Sequence, residues 1–415
     1  MKKSKLKDVS TLFAGYPFDG HLYSSEGVRV VRGDNVTIGS LRWDADKRWN
    51  LPFKEKDEYS LKDEDIVIGM DGSRVGRNRA MVLESDLPLF LAQRVACVRN
   101  NERSNQKYLY YSIFNSRFEQ YINTIHTGTS IPHISLEQLG DYSFPLPELN
   151  VQKRIGEFLF LLDKKITLNM RMNAELEAMA KLLYDYWFVQ FDFPDENGNP
   201  YKSSGGKMVY NSTLKREIPA GWDDCEIKDL SEVVNGATPL TTNLDNFGND
   251  IIWITPNDLS NQKAKFISCG ERSITQKGYD SCSTTLMPAG SVLMSSRAPI
   301  GLMAIAEVDL CTNQGFKNFV PFDMTDNYFI YYYVKEHMAQ VEQLGAGTTF
   351  REVSRDTILK FPILKISDRE LYSKWYEHID SICKEQKNLL LQIRHLTHLR
   401  DSLLPMLMNG QVTVE

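Results

Sequence analysis

The chain has 415 residues, with 48 Lys and Arg against 54 Asp and Glu for a net charge of −6, and 42% of its residues are hydrophobic. That balance excludes a disordered, collagen-like or disulfide-scaffold protein and leaves enough apolar material for more than one core. The basic start MKKSKLKDVS is followed by no apolar segment, and no run of about 18 apolar residues occurs. The expectation is therefore neither a signal peptide nor a membrane span, and a cytoplasmic location.

Residues 1–147 read as short apolar strands separated by Gly, Asn, Asp and Pro turns, with one helix over 108–122, YLYYSIFNSRFEQYI. After Pro147 the pattern changes. Ile155, Leu159, Leu162, Ile166, Asn169, Asn173, Leu176, Ala180, Leu183 and Trp187 follow a strict 4-3 alternation, the seam of a long amphipathic helix. About forty residues at 1.5 Å rise make a rod of roughly 60 Å. A connector rich in Pro, Gly, Asn and Ser follows, FDFPDENGNPYKSSGGKM at 191–208. Short strands resume to about 366, with a helix over 328–344, and a second seam runs through Tyr372, Trp375, Ile379, Ile382, Gln386, Leu389, Ile393, Leu396, Arg400, Leu403 and Leu407. Asn409-Gly410 is a helix stop.

The chain is one unit written twice. KDVSTLFAG (7–15) parallels KDLSEVVNG (228–236), with an offset of 221. VRVVRGDNV (28–36) parallels IIWITPNDL (251–259), and YLYYSIF (108–114) parallels YFIYYYV (328–334). Residues 61–80 parallel 286–306, placing Ser73-Arg74 on Ser296-Arg297 and Gly76 on Gly301, while Gln93 falls on Gln314. TGTSIPHISLEQL (127–139) parallels AGTTFREVSRDTI (346–358). Each match is weak alone; six in one order are not chance.

The expected fold is α+β: two tandem α+β modules, each followed by a long helix, with the two helices packed as an antiparallel coiled coil and a pseudo-two-fold relation between the copies. The seam is assigned to Ile155, Leu159, Leu162, Ile166, Leu176, Leu183, Ile379, Ile382, Leu389, Ile393, Leu396 and Leu403. A helix lying on its own module is the alternative. The boundaries are 1–147, a first module; 148–200, a helical region and connector; 201–366, a second module; and 367–415, a second helical region.

The chemistry is one of contact. The six cysteines form no C-x-x-C, and no zinc spacing can be assembled from them and the seven histidines. No Gly-x-Ser-x-Gly elbow or [DNS]-P-P-[YFW] methyltransferase motif occurs, so no catalytic and no metal-ligating residue is assigned. The repeated loops instead carry donors suited to DNA phosphates and base edges: Ser73, Arg74, Arg77, Arg79, Gln93 and Arg94 in the first copy, with Thr129, Ser130 and His133. The second copy offers Ser296, Arg297, Asn313, Gln314 and Lys317, with Thr348, Thr349 and Arg351. A turn or solvated surface is the alternative at each. The framework repeats while these positions change, as expected of modules that read different sequences.

LEAMAKLLYDYWFVQFDFPDENGNPYKSSGGKMVYN (176–211), KREIPAGW (215–222), LMSSRAPIG (293–301) and LRDSLLPMLMNGQ (399–411) carry a resemblance to the specificity subunit of type I restriction-modification systems. The resemblance implies two target recognition domains, each reading one half of a bipartite, asymmetric site in double-stranded DNA. The helical regions would act as a ruler between them and as the docking surface for two methyltransferase (modification) subunits. Those partners would methylate adenine with S-adenosylmethionine, and restriction (motor-nuclease) subunits would add cleavage dependent on ATP and Mg²⁺. The chain itself would hold no cofactor and catalyse nothing. A self-contained DNA methyltransferase or nuclease, and a scaffold whose rods merely dimerise, are the competing readings.

Overall fold

In the computed structural model, which describes residues 3–44, 46–125, 132–297, 299–345 and 352–414, the chain divides into two compact units. One comprises residues up to 170 together with those from 391 onward; the other is 171–390.

Within the first unit, a four-stranded antiparallel sheet runs in the order Ser10–Ala14, Val95–Asn100, Ile66–Gly69, Arg79–Met81. A three-stranded sheet runs Arg48–Trp49, Val28–Val31, Leu89–Leu91, its last pair parallel. The period of two along a strand explains why Ile66–Gly69 is buried throughout. Ile66 and Ile68 pack with Tyr108 and Tyr111 of the helix Gln106–Ile113. Val67, pointing the other way, packs with Val31 and Leu89. The ends of the module close on each other, Lys3–Lys5 pairing antiparallel with Ser143–Pro145.

The second unit repeats this plan. Its main sheet is Ser231–Asn235, Lys317–Pro321, Val292–Ser296, Ile300–Ala306, extended by Phe266–Ile267. Ile251–Ile254 pairs parallel with Cys311–Thr312 in the smaller sheet, and Asp223–Glu226 closes on Pro362–Lys365. Val292 and Met294 face the tyrosines of Asn327–Glu336, while Leu293 faces Ile254 and Leu310. The α+β duplication is borne out.

Each expected single helix is two. The first copy has Gln106–Ile113 and Ser116–Ile125. Asn115 breaks the run because its Nδ2 donates to the Ser112 carbonyl at 2.6 Å while its Oδ1 accepts from Phe118 N at 3.1 Å. The second copy has Asn327–Glu336 and Met338–Gln343, divided at His337, whose Nδ1 bonds the Tyr333 carbonyl at 2.8 Å.

The long helices are Leu149–Tyr184, continued by a π-helical turn Asp185–Val189, and Arg369–Met408. They pair antiparallel within each unit. In the first, Arg400 Nη1 lies 2.7 Å from Asp163 Oδ1 and Asn169 Nδ2 donates to Gln392 Oε1 at 3.0 Å. In the second, Gln386 Nε2 donates to Glu177 Oε2 at 3.2 Å. Every assigned seam residue is buried or half-buried. The polar seam residues Asn169 and Gln386 are buried and bonded across the pair, the arrangement that ties register to one alignment. Among the described residues no helix is long and apolar enough to cross a membrane.

Burial pushes the thiols of Cys225 and Cys311 up to about 11. A raised value in the folded state keeps stability intact below the unfolded thiol range of about 8.5 and removes it as pH rises toward the folded value. The urea midpoint of the 171–390 transition is therefore expected to hold from pH 7 to 8 and to fall by pH 10.5. The fall should be smaller in Cys225→Ser/Cys311→Ser; equal falls in both proteins would refute the assignment to these thiols.

Candidate nucleic-acid interface

Three segments converge in the first unit. Met70 N donates to the Arg94 carbonyl at 3.0 Å, Ile134 N to the Met70 carbonyl at 3.0 Å, and Gly72 N to the Pro132 carbonyl at 3.0 Å. The turn that follows needs glycine at residue 76, with φ of 68° and Ile122 2.8 Å from where a Cβ would stand. This convergence sets Asp71 between Arg94 and His133: Arg94 Nη1 lies 3.2 Å from its Oδ2, and His133 Nδ1 bonds its Oδ1.

A second group arrives from the end of Val28–Val31. Arg32 N donates to Asn35 Oδ1 at 3.0 Å, which caps the turn Gly33–Asn35. Arg32 Nη2 reaches Asp34 Oδ2 at 2.8 Å, and Arg42 Nε donates to the Asp34 carbonyl at 2.8 Å. Together the groups line an open groove of about 1080 Å³, with Arg32, Arg42, Lys47, Arg74 and Arg94 against Asp34 and Asp71. Ser73 and Gln93 lie in it, as does Tyr23, whose ring faces the Arg32 guanidinium at 5.7 Å. Guanidinium forks over an open, solvated surface suit phosphates and the guanine edge.

The structure brings Ser73, Arg74, Gln93 and Arg94 into this groove and ties His133 to it through Asp71. Arg77 is half-exposed outside it, 4.0 Å from Glu119. Arg79 is corrected: its side chain is 2% exposed, Nη2 lies 3.0 Å from Glu119, and the guanidinium covers Phe114 at 4.7 Å. Burial pulls its proton affinity down against that carboxylate. It supports the fold and presents nothing to a ligand. Arg32, Arg42, Lys47, Tyr23 and Asp71 were not picked out from the sequence; Lys47 meets a basic residue of the second copy, Arg272, only through the strand pairings Val28–Trp49 and Ile251–Ile274.

In the second unit, Ser296 is likewise corrected. It is fully buried, its N donating to the Gly315 carbonyl at 2.7 Å and its Oγ at 3.2 Å. Lys317 is 7% exposed and holds Glu352 at 3.1 Å. Arg297 is half-buried and bridges backbone-to-backbone with Glu352. Gln314 is exposed and its Oε1 accepts from Thr238 Oγ1; Asn313 Oδ1 accepts from Gly315 N at 2.9 Å. Thr129, Ser130, Thr348, Thr349 and Arg351 lie outside the described residues.

The hydrogen bonds also correct the alignment of the copies. Met70 N bonds the Arg94 carbonyl as Ser296 N bonds that of Gly315, and Ile134 N bonds Met70 as Val353 N bonds Ser296. Met70 thus corresponds to Ser296 and Asp71 to Arg297. The first copy pairs an acid with His133; the second pairs a base with Glu352.

Residues 1–178 and 219–364 match the family described as type I restriction modification DNA specificity domain. The chain is 38% identical over 175 residues to the type I restriction enzyme MjaIX specificity subunit of Methanocaldococcus jannaschii, covering 41% of this chain and 40% of that protein. It is 24% identical over 464 residues to the type I restriction enzyme HindI specificity subunit of Haemophilus influenzae, covering 99% of each. The chain thus spans less than half of the first relative and nearly all of the second. Its fold is similar to the crystal structure of a type I restriction-modification system S subunit from M. genitalium, with TM-score 0.65 and 13% identity over 98% of this chain and 95% of that one.

Proposed function

Because the chain belongs to the type I restriction-modification DNA specificity family, we propose that each of its two modules reads one half of a bipartite, asymmetric site in double-stranded DNA. The observation that carries this reading is the groove of the first module. It stands on backbone bonds from Met70, Ile134 and Ala92 that the second module repeats from Ser296, Val353 and Asn313, while the side chains presented to solvent differ. Shared scaffold and divergent contacts suit two readers of two sequences.

On this reading the chain chooses the site and partner subunits act on it. Two modification subunits methylate adenine with S-adenosylmethionine, and restriction subunits add cleavage with ATP and Mg²⁺, all in the cytoplasm. Along the first long helix, Leu161, Leu168, Met172, Met179 and Leu182 are exposed, forming an apolar stripe beside the buried seam. A stripe of that kind supports docking of a partner helix or sheet.

The test is methylome sequencing of DNA from cells that co-express this chain with its modification subunit. The expected result is a two-part motif with a fixed unspecified gap and adenine modified in both halves. Exchange of residues 1–147 for those of a relative should change one half alone. A continuous palindromic motif, or both halves changing together, would overturn the modular reading. Methyl transfer from S-adenosylmethionine by the chain without partners would overturn its non-catalytic role.

A further inference from the structure

We infer that the two modules hold their half-sites by different physics, the first through charge on phosphate and the second through neutral amide and hydroxyl groups. This inference rests on the DNA reading above and adds to it an unequal division of labour.

The groove of the first module presents five cations against two carboxylates. Backbone pairing aligns four of the five cations with the second copy, and one of the four stays basic: Val28 pairs with Trp49 as Ile251 pairs with Ile274, so Lys47 corresponds to Arg272. The Val31 carbonyl accepts from Ala92 N at 2.9 Å as that of Ile254 accepts from Asn313 N at 3.0 Å, so Arg32 corresponds to Thr255. Arg94 corresponds to Gly315 by the bonds from Met70 and Ser296. Between Asp71 and Gly76 the first copy carries Gly-Ser-Arg-Val, whereas between Arg297 and Gly301 the second carries Ala-Pro-Ile, so Arg74 has no basic counterpart.

The second copy gains Arg297 where the first has Asp71, but it also gains Glu352 where the first has His133. Lys317, beside them, is committed to Glu352. The arginines follow the same line, 11 in residues 1–147 and 5 in residues 201–366, whereas the lysines are spread evenly, 9 against 11. What the second copy presents instead is Gln314, positioned by Thr238, with Asn313 next to it. An oriented side-chain amide can pair with the adenine edge without neutralising phosphate.

Each phosphate neutralised by a cation steepens the fall of log K with log salt by about 0.9. The experiment measures binding of the complete complex, chain plus modification subunits, to its own site from 50 to 200 mM salt. Arg42→Gln/Lys47→Gln/Arg74→Gln, at exposed groove positions, is expected to flatten the slope by about 2 to 3 and to weaken all duplexes alike. Lys263→Gln/Arg272→Gln/Arg297→Gln, at the end of the helix Pro256–Gln262, the counterpart of Lys47 and the counterpart of Asp71, should change the slope by less than about 1, and Gln314→Ala should lower discrimination at one half-site with the slope kept. Equal flattening by the two triple variants, or none by the first, overturns the inference. Thermal melts of each variant separate loss of fold from loss of contact. A wild-type complex that binds its site no better than random DNA defeats the DNA reading instead.

Discussion

Replacing Lys265 with alanine is expected to lower the stability of the 171–390 unit by about 2–3 kcal/mol, with the loss visible as a lower urea midpoint. Lys265 precedes the short strand Phe266–Ile267, and its side chain is 6% exposed. Its ammonium lies 2.7 Å from the Tyr332 hydroxyl, 3.0 Å from Gln386 Oε1, 3.1 Å from Cys383 Sγ and 3.2 Å from Glu177 Oε2. One lysine therefore ties the module to both long helices. Removing it takes the ammonium from Gln386 Oε1 and leaves Glu177 without a counter-charge at Oε2, where only the neutral donors Tyr332 Oη at 3.1 Å and Gln386 Nε2 at 3.2 Å stay. The size is set below that of a fully buried pair because Glu177 keeps 29% of its side-chain surface in water.

Lys265→Met separates the parts. Methionine retains a stem against the Phe266 and Tyr332 rings, which the lysine approaches at 5.2 and 4.8 Å, and removes the ammonium with its charge and its donors. It should recover some of the loss, and Lys265→Met/Glu177→Gln more. An alanine variant as stable as the parent would show that the four contacts offset their own desolvation.

Lys265 illustrates what a linear reading misses. Nothing local marks it, since its partners lie 67 to 121 residues away. Arg79 failed for the same reason in reverse: an arginine in GSRVGRNR reads as exposed, and its burial depends on Phe114, Phe118 and Glu119 from later in the chain. The alignment of Ser73-Arg74 with Ser296-Arg297 followed residue identity, whereas the hydrogen bonds follow the backbone, and the loop before Gly301 is one residue shorter than that before Gly76. The groove cations Arg32, Arg42 and Lys47 share no residue identity with the second copy that a linear alignment shows, and Lys47 meets Arg272 only once strands pair. The seams were legible, since a 4-3 spacing is itself the geometry of a helix pair. The duplication was legible because strands that cross two cores constrain residue type on both faces.

Gly15→Ala and Gly236→Ala should each impair one half of recognition and leave the other unchanged. Both glycines end the matched segments KDVSTLFAG and KDLSEVVNG, and the structure gives the reason. Just past the strand Ser10–Ala14 the chain passes to the smaller sheet, where Tyr16 N donates to the Leu91 carbonyl at 2.9 Å and Gln93 N to the Tyr16 carbonyl at 2.8 Å. A Cβ on Gly15 would stand 2.3 Å from the Leu91 oxygen and 2.4 Å from that of Ala92. One on Gly236 would stand 2.1 Å from the Asn313 oxygen and 2.3 Å from that of Thr312.

Backbone cannot yield at such distances without moving, so the strand ends that carry Gln93-Arg94 and Asn313-Gln314 must shift. The expected cost is about 1–3 kcal/mol, the range for overpacking, which leaves each unit folded at moderate temperature. Gly20→Ala, where nothing lies within 4 Å of the added carbon, is the control for stability alone and should keep the parent's melting point. In methylome sequencing with the modification subunit present, Gly15→Ala should relax the half-site assigned to residues 1–147 and Gly236→Ala the other. Relaxation of both halves by either variant would mean that the two copies do not read independently. Unchanged motifs together with a lowered melting point would mean that the segments after Ala92 and Thr312 support the fold without touching DNA.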